Sequence, residues 1–396
     1  MKMQDQFLVP DYYQKFECKG GACRHSCCEG YQVNVTMKEY FDLKALECSE
    51  PLRRHLDDAL CLHGYPDENK YAHLSHAWDG RCRMHGQDGL CELHGECGAD
   101  ALPSVCRYYP RSPLTKYRPE CSCANACEGV LEELFRHQDK ISFEHQELEF
   151  DLAGDRTCSQ TDTAIRIYAA VRHLMFLELQ DRRVPVGRRI ELARHDLEKL
   201  PRGHVYDAEF QKRAEWLCDR AAMVELTSEQ NTTMQELFML PAGTLFMLLR
   251  EFGKMYDSIE KYAEKAQEFE DTAGIMDQLQ LQQAWEQAAG RFPEISLYME
   301  QMMVNHVFYT GFPFADERAD WGEHGLVLTV TYELLKVLIA VCLDEQADVT
   351  MLTDLCADYF RMTEFTGFAH NVLVLLNHQS DDRPDGNDRN DLYTAG

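Results

Sequence analysis

Helical periodicity dominates the second two-thirds of the chain. Over 163–181 the apolar residues Ala164, Ile167, Tyr168, Val171, Leu174 and Met175 recur at three- and four-residue spacings, which marks one buried helix face. Asp162 stands where an N-cap is expected, and Pro185 lies just beyond the end. The same pattern predicts helices over 234–255, 275–289, 295–307, 326–343 and 351–376. Strand-like alternation is scarce there, so residues 131–378 are expected to form an all-α helical domain, a bundle. The most apolar run, GLVLTVTYELLKVLIAVCL from Gly325, is interrupted by Glu333 and Lys336. These charges favour a buried amphipathic helix over a bilayer span, and no membrane partner is expected.

Residues 1–130 follow another pattern. GYPDENK at 64–70 and HAWDGRCRMHGQDGLCELHG at 76–95 read as loops. YQVNVTM alternates apolar and polar positions and predicts a strand; KEYFDLKALE predicts a helix with Tyr40, Phe41 and Leu43 available for packing. A loop-rich segment buries little apolar surface, and bound metal is the usual substitute. The tail over 379–396, with DDRPDGNDRNDLYTAG from Asp381, is acidic and turn-rich and is expected to be disordered. No repeat of fixed period occurs. The expected fold class is mainly α, with a loop-rich, cysteine-bearing metal-binding domain over 1–130 ahead of the helical domain.

Composition sharpens this picture at one point. Of 17 cysteines, 13 fall between Cys18 and Cys127. The N-terminus MKMQDQFLVPDYYQKF lacks the apolar core of an export signal, so a reducing, cytoplasmic setting is expected. There, clustered cysteines act as metal ligands or redox groups rather than structural disulfides. The net charge of −27 is unevenly shared: residues 1–130 hold 15 Lys+Arg against 19 Asp+Glu, and the remainder 25 against 48, or −23. Such an acidic body repels phosphate backbones, so no nucleic-acid partner is expected; a lysine-bearing partner suits the field, as does solubility alone.

Eleven of these thirteen cysteines lie in three stretches: CKGGACRHSCCEG, then CRMHGQDGLC with Cys97 and CRYYPR, then CSCANAC. Thiolates three to five positions apart in a glycine-containing loop converge readily on one ion or cluster. Adjacent Cys27 and Cys28 do not easily chelate one zinc ion, so they serve different metals or one of them supports the other. Four thiolates complete a zinc site or a four-iron cluster, and the spacing leaves both open. His25, His85 and His94 are further candidate ligands, though such histidines more often face solvent or bond the backbone. Tyr108, Tyr109 and Arg111 read as packing anchors with a surface charge, or less readily as a substrate-facing lip. No dinucleotide-binding GxGxxG after a strand, no P-loop, no HExxH and no serine elbow occurs.

CKGGACRHSCCEGY, CRMHGQDGLCELHGECGADALPSVCRYYPR and ACEGV together resemble the cysteine-rich head of the flagellin lysine-N-methylase (FliB) family, which is similar to a wider group of zinc- or iron-chelating domains. LELQDRRVPVGRRI from Leu177 and NHVFYTGFPF from Asn305 are similar to its helical region. The resemblance implies methyl transfer from S-adenosylmethionine to lysines of flagellin, with a [4Fe-4S] cluster (alternatively zinc) in the N-terminal domain. It picks out Cys18, Cys23, Cys27, Cys28, Cys82, Cys91, Cys106 and Cys127 as the metal-ligating set; Cys97, Cys121 and Cys123 are extra to this sequence. The three-cysteine radical motif does not occur, and catalytic and cofactor-binding residues stay unassigned. The alternative from another class is a non-enzymatic zinc-binding protein with a helical interaction domain.

Overall fold

The structure, a computed structural model, describes residues 2–24, 26–29, 33–151, 161–200, 236–274, 277–314 and 320–381, with isolated positions between 208 and 219. The tail expected over 379–396 therefore falls, from 382 onward, outside the described residues.

A four-stranded sheet joins distant parts of the chain, in the order Arg111–Leu114, Glu120–Cys123, Lys2–Pro10, Phe143–Asp151. Lys2–Pro10 pairs antiparallel with Phe143–Asp151 along its whole length, from Lys2 opposite Asp151 to Pro10 opposite Phe143. On its other side it runs parallel to Glu120–Cys123, with Leu8 opposite Glu120. The first strand is thus held between two later segments, and Phe7 and Val9 enter the core.

A smaller antiparallel sheet, in the order Val33–Val35, Ala72–Leu74, Leu60–Leu62, supports its own small core of Val33, Val35, Leu43, Leu52, Leu56, Leu60, Leu74, Met84 and Leu93. The expected strand and helix around residue 35 both form. Thr36 and Glu39 make a capping box at the start of Met37–Ala45, satisfying two amides that the helix leaves open. The second oxygen of Glu39 accepts the Ser104 amide at 2.7 Å, so the same carboxylate fixes the turn carrying Cys106. Leu43 is buried, whereas Phe41 is exposed.

In Asp162–Leu179 all six residues of the expected face are buried. Its cap is Thr161, not Asp162: the threonine hydroxyl accepts the Ala164 amide at 3.3 Å. The apolar run becomes the central helix Trp321–Cys342, packed among Val186–Glu198, Asp277–Arg291, Asp257–Ala273 and Val349–Phe365. Among the described residues it is the one helix long and apolar enough to cross a membrane, and most of it lies inside the protein. Its two charges have internal work. Glu333 Oε2 accepts the Met239 amide at 2.7 Å and the Leu240 amide at 3.3 Å, while Lys336 Nζ donates to Leu237 O at 2.8 Å. Those bonds hold 236–240 in a non-helical path, so the helix expected over 234–255 starts at Ala242. The helix expected over 351–376 is two, Val349–Phe365 and Phe368–Asp381, broken after Thr366.

One large core embraces both ends of the chain: Phe7, Tyr12, Phe16, Leu131 and Leu134 pack in the same cluster as Leu174, Phe308, Leu335 and Phe360. At the seam lies Arg172, fully buried. It donates to Glu120 Oε2 at 2.9 Å and to the carbonyls of Val307, Phe312 and Phe308 at 3.0, 2.7 and 3.3 Å.

Candidate metal centre

The first cysteine stretch is seated by charges from distant helices. Lys19 Nζ donates to Glu128 Oε1 at 2.7 Å and Glu132 Oε1 at 2.8 Å, on the helix Glu128–Arg136. Glu128, fully buried, also accepts the Arg24 amide at 2.9 Å. Arg24 Nε reaches Asp354 Oδ1 at 2.9 Å, and Arg361 donates to the carbonyls of Ser26 at 3.1 Å and Glu29 at 3.3 Å. Gly20, with φ +57, opens the turn Gly20–Ala22 in a conformation that favours glycine.

Backbone bonds then bring the second stretch to the first. The Cys82 amide donates to the Cys28 carbonyl at 2.7 Å, and the His85 amide to the Cys82 carbonyl at 2.9 Å. His85 pairs with Cys91 in an isolated bridge, closing the 82–91 loop around Gly89, φ +79. Cys106 follows on the short helix Ser104–Tyr108. Cys82 is buried; Cys28, Cys91 and Cys106 are partly buried, and all four pack on the small core.

Their electrostatics show that the four lie within reach of one another. Burial pushes the Cys82 thiol up to about 11, with Cys28 and Cys91 adding to the shift. Burial raises Cys106 well above its usual range, reinforced by Cys28, Cys82 and Cys91. Cys91 rises for the same first reason, with Cys28 contributing. Such thiols stay protonated unless a cation compensates the thiolates, and metal binding does so by displacing the protons.

Three of the other four expected ligands gather on the Glu128 side. Cys127, at the start of Glu128–Arg136, is pushed up to about 12 by burial, with Cys23 and Cys18 adding. Cys23 rises to about 11 through burial, Glu128 and Cys18. Cys27 stands between the groups: its neighbour Cys28 and burial raise its thiol, which also feels Cys106 and Cys18. The same neighbour lowers the Cys28 thiol. The eight cysteines thus separate into Cys28, Cys82, Cys91 and Cys106 on one side and Cys18, Cys23 and Cys127 on the other, joined through Cys27.

Sulfur donors of this kind suit zinc or an iron–sulfur cluster. Among the described residues no three Cys, His, Asp or Glu side chains already stand close enough to hold a metal ion, so the thiols are gathered but not closed around a point. His25 lies outside the described residues. Cys121 and Cys123 belong to the buried strand Glu120–Cys123, where Cys121 Sγ meets the Tyr13 hydroxyl at 3.5 Å. Tyr108 and Arg111 serve packing: the Tyr108 hydroxyl accepts the Asp151 amide at 2.7 Å, and Arg111 lies over the rings of Tyr13 and Phe16.

Two further features adjoin the cysteines. A cleft of about 330 Å³ opens beside Cys18, lined by Lys15, Phe16, Glu17, Lys19, Glu132 and Arg136 among others. Behind Cys123 lies a buried polar network. Asn305 Oδ1 accepts from Tyr12 and Ser122 at 2.5 and 2.6 Å, and Asn305 Nδ2 donates to Cys123 O at 2.8 Å. Glu364, its carboxyl raised by burial, accepts the Ala126 amide at 3.2 Å and contacts His306 Nδ1 at 3.3 Å. The NHVFYTGFPF stretch therefore binds the last cysteine segment to the helices. Lys19, Arg24, Glu128 and Arg361 have no local sequence signature for this role, because their partners lie far along the chain.

A family model described as the FliB lysine N-methylase C-terminal domain matches residues 172–382. No curated protein and no solved structure matches the chain.

Proposed function

Since the chain belongs to the FliB lysine N-methylase family, we propose that it transfers methyl groups from S-adenosylmethionine to lysines of flagellin, with a metal centre held by Cys28, Cys82, Cys91 and Cys106. The observation that carries the metal part is the mutual proximity of these four buried or partly buried thiols, drawn from separate stretches and joined at the Cys28–Cys82 backbone bond. A [4Fe-4S] cluster is our reading of the centre, with zinc as the alternative. The centre, when bound, supplies a fixed positive core for the thiolates and a rigid frame for the head.

In the reaction the lysine nitrogen attacks the sulfonium methyl; the N–C bond forms as the C–S bond breaks, and S-adenosylhomocysteine leaves. A free lysine has a pKa of about 10.4, so the ammonium must first give its proton to a base or to water. The acidic helical body favours approach of a lysine-bearing surface. The same field raises the amine's pKa, so transfer needs a partly apolar enclosure at the reacting atoms. The mixed charges of the cleft beside Cys18 suit the zwitterionic methionyl end of the cofactor.

The test is anaerobic purification with iron, sulfide and zinc assays, followed by incubation with S-adenosylmethionine and flagellin and mass spectrometry of the flagellin peptides. Methylated lysines that depend on the cofactor support the reading. A zinc-loaded protein that neither binds S-adenosylmethionine nor modifies flagellin points instead to a metal-stapled interaction protein.

A further inference from the structure

The small sheet carries a second set of metal-type donors on the face turned away from its core. Side chains alternate between the two faces of a strand. Val33, Val35, Leu60, Ala72 and Leu74 take the core side. Asn34, His73 and Cys61 take the other, and they stand in one row across the three strands: Asn34 is opposite His73, and His73 is opposite Cys61. His63 follows two residues after Cys61, its amide bonded to the Tyr71 carbonyl at 3.1 Å, and its ring centre lies 4.9 Å from that of His73.

The ring nitrogens are arranged as ligands are. His63 Nε2 lies 3.0 Å from Asn34 Oδ1. A proton donated there leaves Nδ1 with a bare lone pair, the way an outer partner orients a metal-binding imidazole. His73 Nδ1 is buried with no hydrogen-bond partner among the described residues, and so are Ser75 Oγ and His76 Nε2, the next polar atoms along the chain. Buried polar atoms are almost always paired with protein, water or an ion. The orphaned His73 Nδ1, beside a second imidazole and opposite a thiol, marks a place where something binds.

We propose that Cys61, His63 and His73 form a binding site for a borderline-soft divalent cation of the zinc type, distinct from the centre of Cys28, Cys82, Cys91 and Cys106. Three nitrogen and sulfur ligands leave a fourth position for water or an incoming group, the pattern of zinc sites with an exchangeable ligand. No three donors stand at bonding distance beforehand among the described residues, so the site closes by side-chain rotation on a fixed three-stranded frame. Cys61, His63 and His73 are absent from the cysteine set that the family resemblance selects, and the site does not depend on methyltransferase activity.

The test uses the full chain, purified anaerobically and titrated with Co²⁺ as a spectroscopic stand-in for zinc, alongside His73→Asn, Cys61→Ser and Cys82→Ser. The site predicts one Co²⁺ equivalent in the wild type that Cys82→Ser retains and His73→Asn loses. In Cys61→Ser the sulfur-to-cobalt charge-transfer band of that equivalent disappears while the weaker d–d bands shift. Unchanged Co²⁺ stoichiometry and spectra in both His73→Asn and Cys61→Ser overturn the proposal, leaving buried water as the partner of the orphaned atoms. Far-ultraviolet circular dichroism checks that each variant is folded. Should His73→Asn unfold, the Cys61→Ser charge-transfer band still decides, because its loss or retention reads the thiolate directly.

Discussion

Replacing Arg172 by Met tests whether the two ends of the chain share one core. Arg172 and Glu120 are both fully buried, with Nη2 and Oε2 2.9 Å apart. Methionine fills similar space but strips donors from the carbonyls of Val307, Phe308 and Phe312. Glu120 keeps Arg118 at 2.5 Å and the Tyr168 hydroxyl at 2.6 Å, which softens the loss of charge balance. Breaking a buried pair costs about 3–5 kcal/mol, and the carbonyls left bare keep the estimate within that range despite Arg118. Against a total stability of roughly 5–15 kcal/mol, that is a large fraction. Urea denaturation followed by tryptophan fluorescence and by circular dichroism should show one transition, displaced equally by both probes. Arg172→Lys should recover only part of the loss, because an ammonium lacks the planar fork that serves several acceptors at once. A cost below about 1 kcal/mol, well under the range for a broken buried pair, shows that Arg172 does not tie the two ends into one core, as does a displaced helical transition with the sheet unaffected.

Other substitutions probe particular contacts. Burial raises the Glu333 carboxyl from about 4.5 to about 7. The unfolded chain therefore ionises first: this group's contribution to stability is full below 4.5 and is lost as pH rises to 7. The difference in urea midpoint between wild type and Glu333→Gln should change across that window and be flat above it; a flat difference throughout contradicts the burial argument. At Gly253 an added methyl meets Ala263 Cβ well inside van der Waals contact, where the helices Ala242–Met255 and Asp257–Ala273 cross. Gly253→Ala should cost about 1–3 kcal/mol by overpacking despite alanine's better helix propensity, and a stabilised variant in thermal melts rejects that crossing. Thr161→Ala should cost about 1 kcal/mol, with Asp162→Ala nearly neutral in the same melts; the reverse order puts the cap back at Asp162.

Much of the helical half is legible because a helix writes its buried face locally, every three or four residues, as in Ala164 to Met175. Elsewhere a distant partner or a local competitor decides. Thr161 and Asp162 are adjacent cap formers, and periodicity does not choose between them. The helix start moved from 234 to Ala242 because Glu333, remote in sequence, takes the Met239 and Leu240 amides. The strand Phe143–Asp151 carries a short local signal, Leu148 and Phe150 alternating with Glu147, Glu149 and Asp151, but only Phe150 is buried and its pairing with Lys2–Pro10 is non-local. In the head, the clustering of cysteines was plain. Their division was not, because Cys28 meets Cys82 only after the small sheet and the helices Met37–Ala45 and Glu50–Ala59 bring the chain back. The spacing of Cys61 with His63 and Tyr71 with His73 does carry the period of two that marks a hairpin. The turn residues GYPDENK between them form the loop of that hairpin.

Metal analysis of the anaerobically purified chain and its single Cys→Ser variants decides whether the head is built around an inorganic centre. Our account predicts that iron and sulfide, or zinc, fall together in the Cys28, Cys82, Cys91 and Cys106 variants and stay at wild-type levels in the Cys121 and Cys342 variants. A folded wild-type protein whose metal content is nil, or is equally insensitive to all six changes, contradicts it.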